Sequence, residues 1–181
     1  MLVYVLARNG TLFDYIHHVN GKKALSWHIL LKIASESAAA LAYLHSAAET
    51  SKPMIIHGNV NSSNILLSDC FVAKVFGFGS SRLVRVPSNE SQMNTLVQQT
   101  VGYLDPEYLQ TEQNDIFQIV VPQLVNEGNR EQLRAVAELA KSCLKLSSAE
   151  RPAMEEVARE LRRLCGRAAH ILPKLVHADN Y

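Results

Sequence analysis

Cysteine, net charge and long apolar runs are all scarce in this sequence. Three cysteines, Cys70, Cys143 and Cys165, share no short repeated spacing. That excludes a disulfide framework and a CxxC zinc site and leaves reduced thiols. Eighteen Lys+Arg against seventeen Asp+Glu give a formal charge of +1, without the clustered basic excess of a nucleic-acid-binding domain. No apolar run approaches the roughly 20 residues of a membrane helix. The apolar opening from Met1 to Ala7 has no basic segment ahead of it and is too short for a signal peptide. A cytoplasmic chain is expected, with the sequons at Asn9, Asn61 and Asn89 unmodified. What remains is an ordinary globular composition, 48% hydrophobic and 19% charged in 181 residues. It excludes collagen and outright disorder and allows one modest domain or two very small ones, not a large two-lobed enzyme.

Along the chain, Thr11 is placed to cap a short helix carrying Leu12, Phe13 and Ile16. The clearest helix is predicted from Ser26 to His45. Ile29, Leu30, Ile33, Ala34, Leu41 and Leu44 recur there at three- and four-residue steps behind Ser26 as cap. Two short strands are predicted at Ile65 to Leu67 and Val72 to Phe76, joined by a turn at Ser68-Asp69. Residues 49–54 and the polar stretch 77–104 read as loops. Towards the end, Asn129 and Gln132 resemble a capping box ahead of a helix bearing Leu133, Val136, Ala140 and Leu144. Pro152 suits the first turn of a last helix lined by Met154, Val157, Ala158, Leu161 and Leu164.

Taken alone, the segment from His57 to Leu67 is a loop with one His and three Asn ahead of a strand. Gly77-Phe78-Gly79 is an isolated GxG that leads into no helix, so as a phosphate loop it is weak. Their ordered combination is far more specific. Ile56-His57, Asn64-Ile65-Leu66-Leu67, Ala73-Lys74-Val75, Phe78-Gly79, the run from Gly102 to Tyr108, and Glu150-Arg151-Pro152 together resemble the C-lobe of eukaryotic protein kinases. The closest likeness is to plant receptor-like Ser/Thr kinases. Leu2-Val3-Tyr4, Leu41-Ala42-Tyr43-Leu44-His45-Ser46 and Val125-Asn126-Glu127-Gly128-Asn129 are similar to the wall-associated receptor kinase group.

The resemblance implies roles residue by residue. Val3, Tyr4 and Val5 fall in the hinge whose backbone meets adenine, and Leu66 packs beneath the purine. Asn64 matches the catalytic-loop Asn that binds a magnesium ion. His57 and Phe78 belong to a stacked spine, Gly79 follows, and Glu107 closes the activation segment against Arg151. ATP and magnesium are the implied cofactors, and proteins, other receptor-like kinases among them, the implied partners. The implied location is the cytosolic side of the plasma membrane.

The departures are as specific as the matches. Asn59 stands where the family has its catalytic Asp, and an amide is no base at neutral pH; losing a general base costs about 10²–10⁴ in rate. Asn61 stands in place of the catalytic-loop Lys, Gly58 in place of the preceding Arg, and Gly77 in place of the metal-binding Asp. The sequence begins at the hinge. It also passes almost directly from Glu112 to Asp115-Ile116-Phe117, where the family carries a long segment with the buried central helix of the lobe. The expected fold is therefore mainly α with a small β element, an incomplete kinase-like C-lobe over residues 1–165 with a deletion-like junction near 112–115. Residues 166–181 form a tail. The helices at 29–45 and 133–144 are expected to lose much of the apolar surface they pack on. The functional expectation is a degenerate kinase domain acting as a binding module. An ATP-dependent Ser/Thr kinase stands second, and the product of a decayed or misassembled gene stands third.

Overall fold

A threonine cap starts the first helix. The computed structural model describes residues 7–46, 53–84, 122–126 and 129–169. The Thr11 hydroxyl accepts from the Asp14 amide at 3.2 Å, and the Asp14 carboxylate accepts from the Thr11 amide at 2.8 Å. This reciprocal capping box opens α1, Leu12–Ile16. The Thr11 backbone amide, then its hydroxyl, hold the Asp14 carboxyl below its ordinary value of 3.8, with slight opposition from burial and help from Lys22. A carboxylate with a lowered folded pKa stabilises the fold above the unfolded value and loses that contribution as pH falls through the folded one. Asp14→Ala is therefore expected to melt below the parent chain at pH 7, and the gap to narrow as pH is taken below about 4. A Tm series against pH checks this; a gap that widens in acid would refute it.

The predicted long helix is present as α2, Trp27–His45, with Ser26 as its cap. Its burial differs from the single predicted stripe. Leu31, Ile33, Ala38 and Leu41 are the buried positions, and they serve two cores. Leu31 and Ala38 pack with Val157, Ala158, Leu161 and Leu164, while Ile33 packs with Tyr15, Leu25, Ile65 and Leu67. A helix apolar on several faces is a helix covered on several faces, and α2 is the wall shared by both clusters.

The partner on the first side is the last helix. Two helices follow in the C-terminal part, α3 at Arg130–Cys143 and α4 at Met154–Ala169. Leu133 is buried, and Ala135, Val136, Leu139 and Cys143 of α3 pack against the cluster formed by α2 and α4. α4 covers part of these two helices with its predicted stripe of Val157, Ala158, Leu161 and Leu164, which is buried.

Among the described residues, four short strands form two antiparallel pairs. β2, Ile65–Leu67, pairs with β3, Ala73–Val75, in the register Ile65 to Val75 and Leu67 to Ala73. α2 clamps this hairpin with charged side chains. Lys32 donates to the Phe71 carbonyl at 2.9 Å, Glu36 accepts from the Ala73 amide at 2.8 Å, and the two side chains meet at 3.0 Å. The hydrogen bonds anchor the hairpin by backbone groups at its turn end, which is thereby fixed against α2. The second pair corrects the sequence reading of 49–54 and 77–104 as loops. β1, Met54–Ile56, pairs with β4, Arg82–Val84. Three-residue strands leave no readable period, and this pairing is made by tertiary contact alone.

Two cap assignments also change. Asn129 makes no cap bond to α3; its oxygen accepts from the Asn126 amide and its amide group donates to the Leu124 carbonyl. Gln132 is buried instead of capping. It accepts from Trp27 Nε1 at 3.0 Å and donates to the Leu164 carbonyl at 3.0 Å. Pro152 lies just before the first turn of α4. There the Glu156 carboxylate accepts from the Ala153 amide at 2.9 Å and satisfies one of the helix's open donors. Burial pushes the thiols of Cys143 and Cys165 above their ordinary value, whereas Cys70 is exposed.

Candidate functional site

The candidate site is the loop between β1 and β2 and the turn that follows β3. His57 leaves β1 as a buried ring, 2% exposed. The Asn59 backbone amide donates to its Nδ1 at 3.2 Å, and its Nε2 lies 2.8 Å from the Phe76 carbonyl. A backbone amide can only donate and a carbonyl can only accept, so the ring is held as the Nε2–H tautomer. It meets the Phe78 ring in a T-shaped contact with ring centroids 4.8 Å apart. One imidazole therefore ties the loop to the strand end and the turn beyond it.

Three carboxamides fill the rest of the loop. Asn61 caps the 3-10 turn Ser62–Asn64, its oxygen accepting from the Ser63 amide at 2.9 Å. Its nitrogen donates to the Asn59 side-chain oxygen at 2.9 Å and, at 3.3 Å, to the Asn59 carbonyl. Asn64 donates to the same carbonyl at 2.9 Å, while its own backbone carbonyl accepts from the Phe76 amide at 2.9 Å. Asparagine suits this loop because its short amide bonds backbone groups two to five residues away. The outcome is a set of side chains that bond mainly to their own loop.

Two glycines close the arrangement. Gly58 and Gly77 have φ of 78° and 84°, a left-handed backbone that costs residues with a Cβ about 1–2 kcal/mol. A Cβ on Gly58 would sit 2.6 Å from the Ser80 carbonyl oxygen. A Cβ on Gly77 would overlap the Asn64 side-chain oxygen and lie 2.6 Å from its Cγ. Gly79, in the same turn region, has open space around it.

The structure thus brings His57, Gly58, Asn59, Asn61, Asn64, Gly77 and Phe78 together. Leu66 sits half-buried in the middle of β2, opposite Lys74. Arg151 lies elsewhere and donates to the Lys145 and Leu146 carbonyls at 2.7 and 3.3 Å. Val3, Tyr4, Val5, Glu107 and the junction at 112–115 lie outside the described residues. Sequence reasoning did not foresee the packing of the Ser80 backbone against Gly58; the available signal was the pair of glycines flanking the segment.

Magnesium asks for oxygen ligands in octahedral array, carboxylates and phosphates foremost. The loop offers carboxamides in place of carboxylates; the Asn61 oxygen accepts from the Ser63 amide and the Asn59 oxygen from the Asn61 amide group. No group of three or more His, Cys, Asp or Glu that could hold a metal occurs among the described residues. The residues present do not fit the ion.

The sequence profile of the protein tyrosine and serine/threonine kinase family matches residues 1–120. Wall-associated receptor kinase 2 of Arabidopsis thaliana is 35% identical over 209 residues, covering 91% of this chain and 28% of the relative. Wall-associated receptor kinase 3 is 34% identical with the same coverage. Putative wall-associated receptor kinase-like 16 is 34% identical, with 47% of its length covered. The chain thus spans less than half the length of these relatives. The aligned stretch of 209 positions is also longer than the 181-residue chain, so positions of the relatives lie opposite gaps in it. No helix among the described residues is long and apolar enough to cross a membrane. The chain belongs to the protein tyrosine and serine/threonine kinase family and is similar, within it, to the wall-associated receptor kinases of plants.

Proposed function

We propose that this chain is a degenerate protein kinase domain of the wall-associated type that does not transfer phosphate and acts by binding other proteins. The observation that carries the reading is the carboxamide network. Asn59, Asn61 and Gly77 stand where the family has a base, a cation and a metal ligand, and Asn59 and Asn61 bond one another. Kinases supply positioning and charge neutralisation more than covalent chemistry. A site without the proton acceptor, the phosphate-facing cation and the metal carboxylate lacks each of those contributions. The gaps opposite the relatives support a deletion, placed here near 112–115. Val60, Phe76 and Phe78, exposed on the loop and the strand end beside it, give apolar surface to a protein partner such as a receptor-like kinase on the cytosolic face of the membrane.

The test is phosphoryl transfer from Mg-ATP to a generic protein substrate, with the Asn64→Ala variant alongside. No transfer above background is expected from either chain. Robust transfer by the parent chain that Asn64→Ala abolishes would establish an active kinase and overturn the reading.

A further inference from the structure

We propose that Asn20 is a site of spontaneous deamidation, where the Gly21 amide nitrogen attacks the Asn20 side chain and water completes its conversion to aspartate and isoaspartate. The inference stands apart from phosphoryl transfer. Asn-Gly is the pair in which this ring closure meets least hindrance, because glycine has no Cβ beside the attacking nitrogen. The chain holds two such pairs, Asn9-Gly10 and Asn20-Gly21, and the structure treats them oppositely.

Asn9 is tied to the hairpin of β2 and β3. Its carboxamide nitrogen donates to the Ser68 carbonyl at 2.6 Å and to the Asp69 carbonyl at 3.3 Å. The Gly10 amide, the nucleophile for that pair, donates to the Ala7 carbonyl at 3.0 Å, and the Gly10 carbonyl accepts from the Leu67 amide at 2.8 Å. Ring closure at Asn9 has to break these bonds first. Asn20 is exposed, and its carboxamide makes no hydrogen bond among the described residues. It sits in the short 3-10 turn Val19–Gly21 with a φ of 53°, next to His18 at 52°. A left-handed φ is strained in residues with a Cβ, so opening the turn releases strain. Opposing it are the bonds of one short turn, among them the Lys22 amide to the Val19 carbonyl at 3.2 Å and the His18 Nδ1 contact to the Lys22 carbonyl at 3.1 Å. Gly21, with a φ of 71°, has open space where a Cβ would stand, so no neighbour crowds the attack.

In the first step the Gly21 nitrogen bonds to the Asn20 Cγ and gives its proton to solvent, and the Cγ–Nδ2 bond breaks to release ammonia. Water then adds to either carbonyl of the succinimide and reopens the ring. Addition at the side-chain carbonyl yields aspartate; addition at the backbone carbonyl leaves the chain running through Cγ as isoaspartate. No oxidant or reductant takes part. The new carboxylate cancels the chain's formal charge of +1.

The experiment keeps the full folded chain in mildly alkaline buffer made with heavy-oxygen water and then digests it in ordinary water. Trypsin releases both asparagines in the peptide 9–22, so fragment ions report the two sites from one molecule. Label is expected to accumulate at position 20 at least about ten-fold faster than at position 9, because freeing Asn9 and Gly10 breaks several hydrogen bonds. In urea the two rates are expected to converge. Gly21→Ala is expected to suppress labelling at position 20 and to leave position 9 unchanged. Equal rates in the folded chain would overturn the inference. So would a preference that survives unchanged in urea, which would belong to the sequence alone, or a Gly21→Ala chain labelled at position 20 as fast as its parent.

Discussion

Leu31→Ala is expected to cost about 2–5 kcal/mol, the range for removing three carbons from a well-packed core. Leu31 is 1% exposed and lies in the cluster with Val157, Ala158, Leu161 and Leu164. It joins α2 to α4, the helix that covers α2 on that side. Because a domain's whole stability is about 5–15 kcal/mol, this one truncation removes a large share of it. Leu146, 86% exposed, is the control, and Leu146→Ala is expected to change stability by no more than about 0.5 kcal/mol. Trp27 is the single tryptophan and packs against the same cluster, so its emission in a urea titration reads the transition directly. Equal midpoints for the two variants would mean that α2 and α4 do not share a core. A parent chain with no cooperative transition at all would instead favour the product of a decayed gene.

The helices were legible in the sequence because their burial is periodic and their caps are local. Ser26 and Thr11 act within three residues of themselves, and the α4 stripe repeats every three to four. The hairpin of β2 and β3 was legible because its turn lies between its strands. The two-sided burial of α2 was not, since a single best stripe through Ile29, Ile33 and Leu44 passes over Leu31 and Ala38. Nor was the pairing of β1 with β4, whose six residues form no pattern until a contact between distant segments makes them a sheet. At the candidate site the residue identities were readable from their spacing and likeness. Their hydrogen bonds were not, because an asparagine at 59, 61 or 64 could as well have faced solvent or a ligand. The positive φ of Gly58 and Gly77 is likewise a property of the folded loop, and a glycine in sequence permits it without requiring it.

Gln132 illustrates the same limit with the largest energetic consequence outside the apolar core. Its position three residues after Asn129 suggested a cap, yet its amide bridges Trp27 of α2 and the Leu164 carbonyl of α4. Gln132→Leu keeps approximate volume and removes both bonds. The Leu164 carbonyl lies inside α4 and keeps its intrahelical donor, so each lost bond costs about 0.5–1.5 kcal/mol, and water can reach the half-buried indole. The loss should therefore exceed that of an ordinary surface change and fall below that of a core truncation. A double-mutant cycle with Trp27→Phe, followed by far-UV circular dichroism, separates the two bonds. The indole bond is expected to appear as a coupling of about 0.5–1.5 kcal/mol, and the remainder of the Gln132→Leu cost to persist in the Trp27→Phe background. Strict additivity would show that Trp27 and Gln132 do not interact. A Gln132→Leu chain as stable as its parent would show that neither bond contributes, and that α3 is held by its apolar face alone.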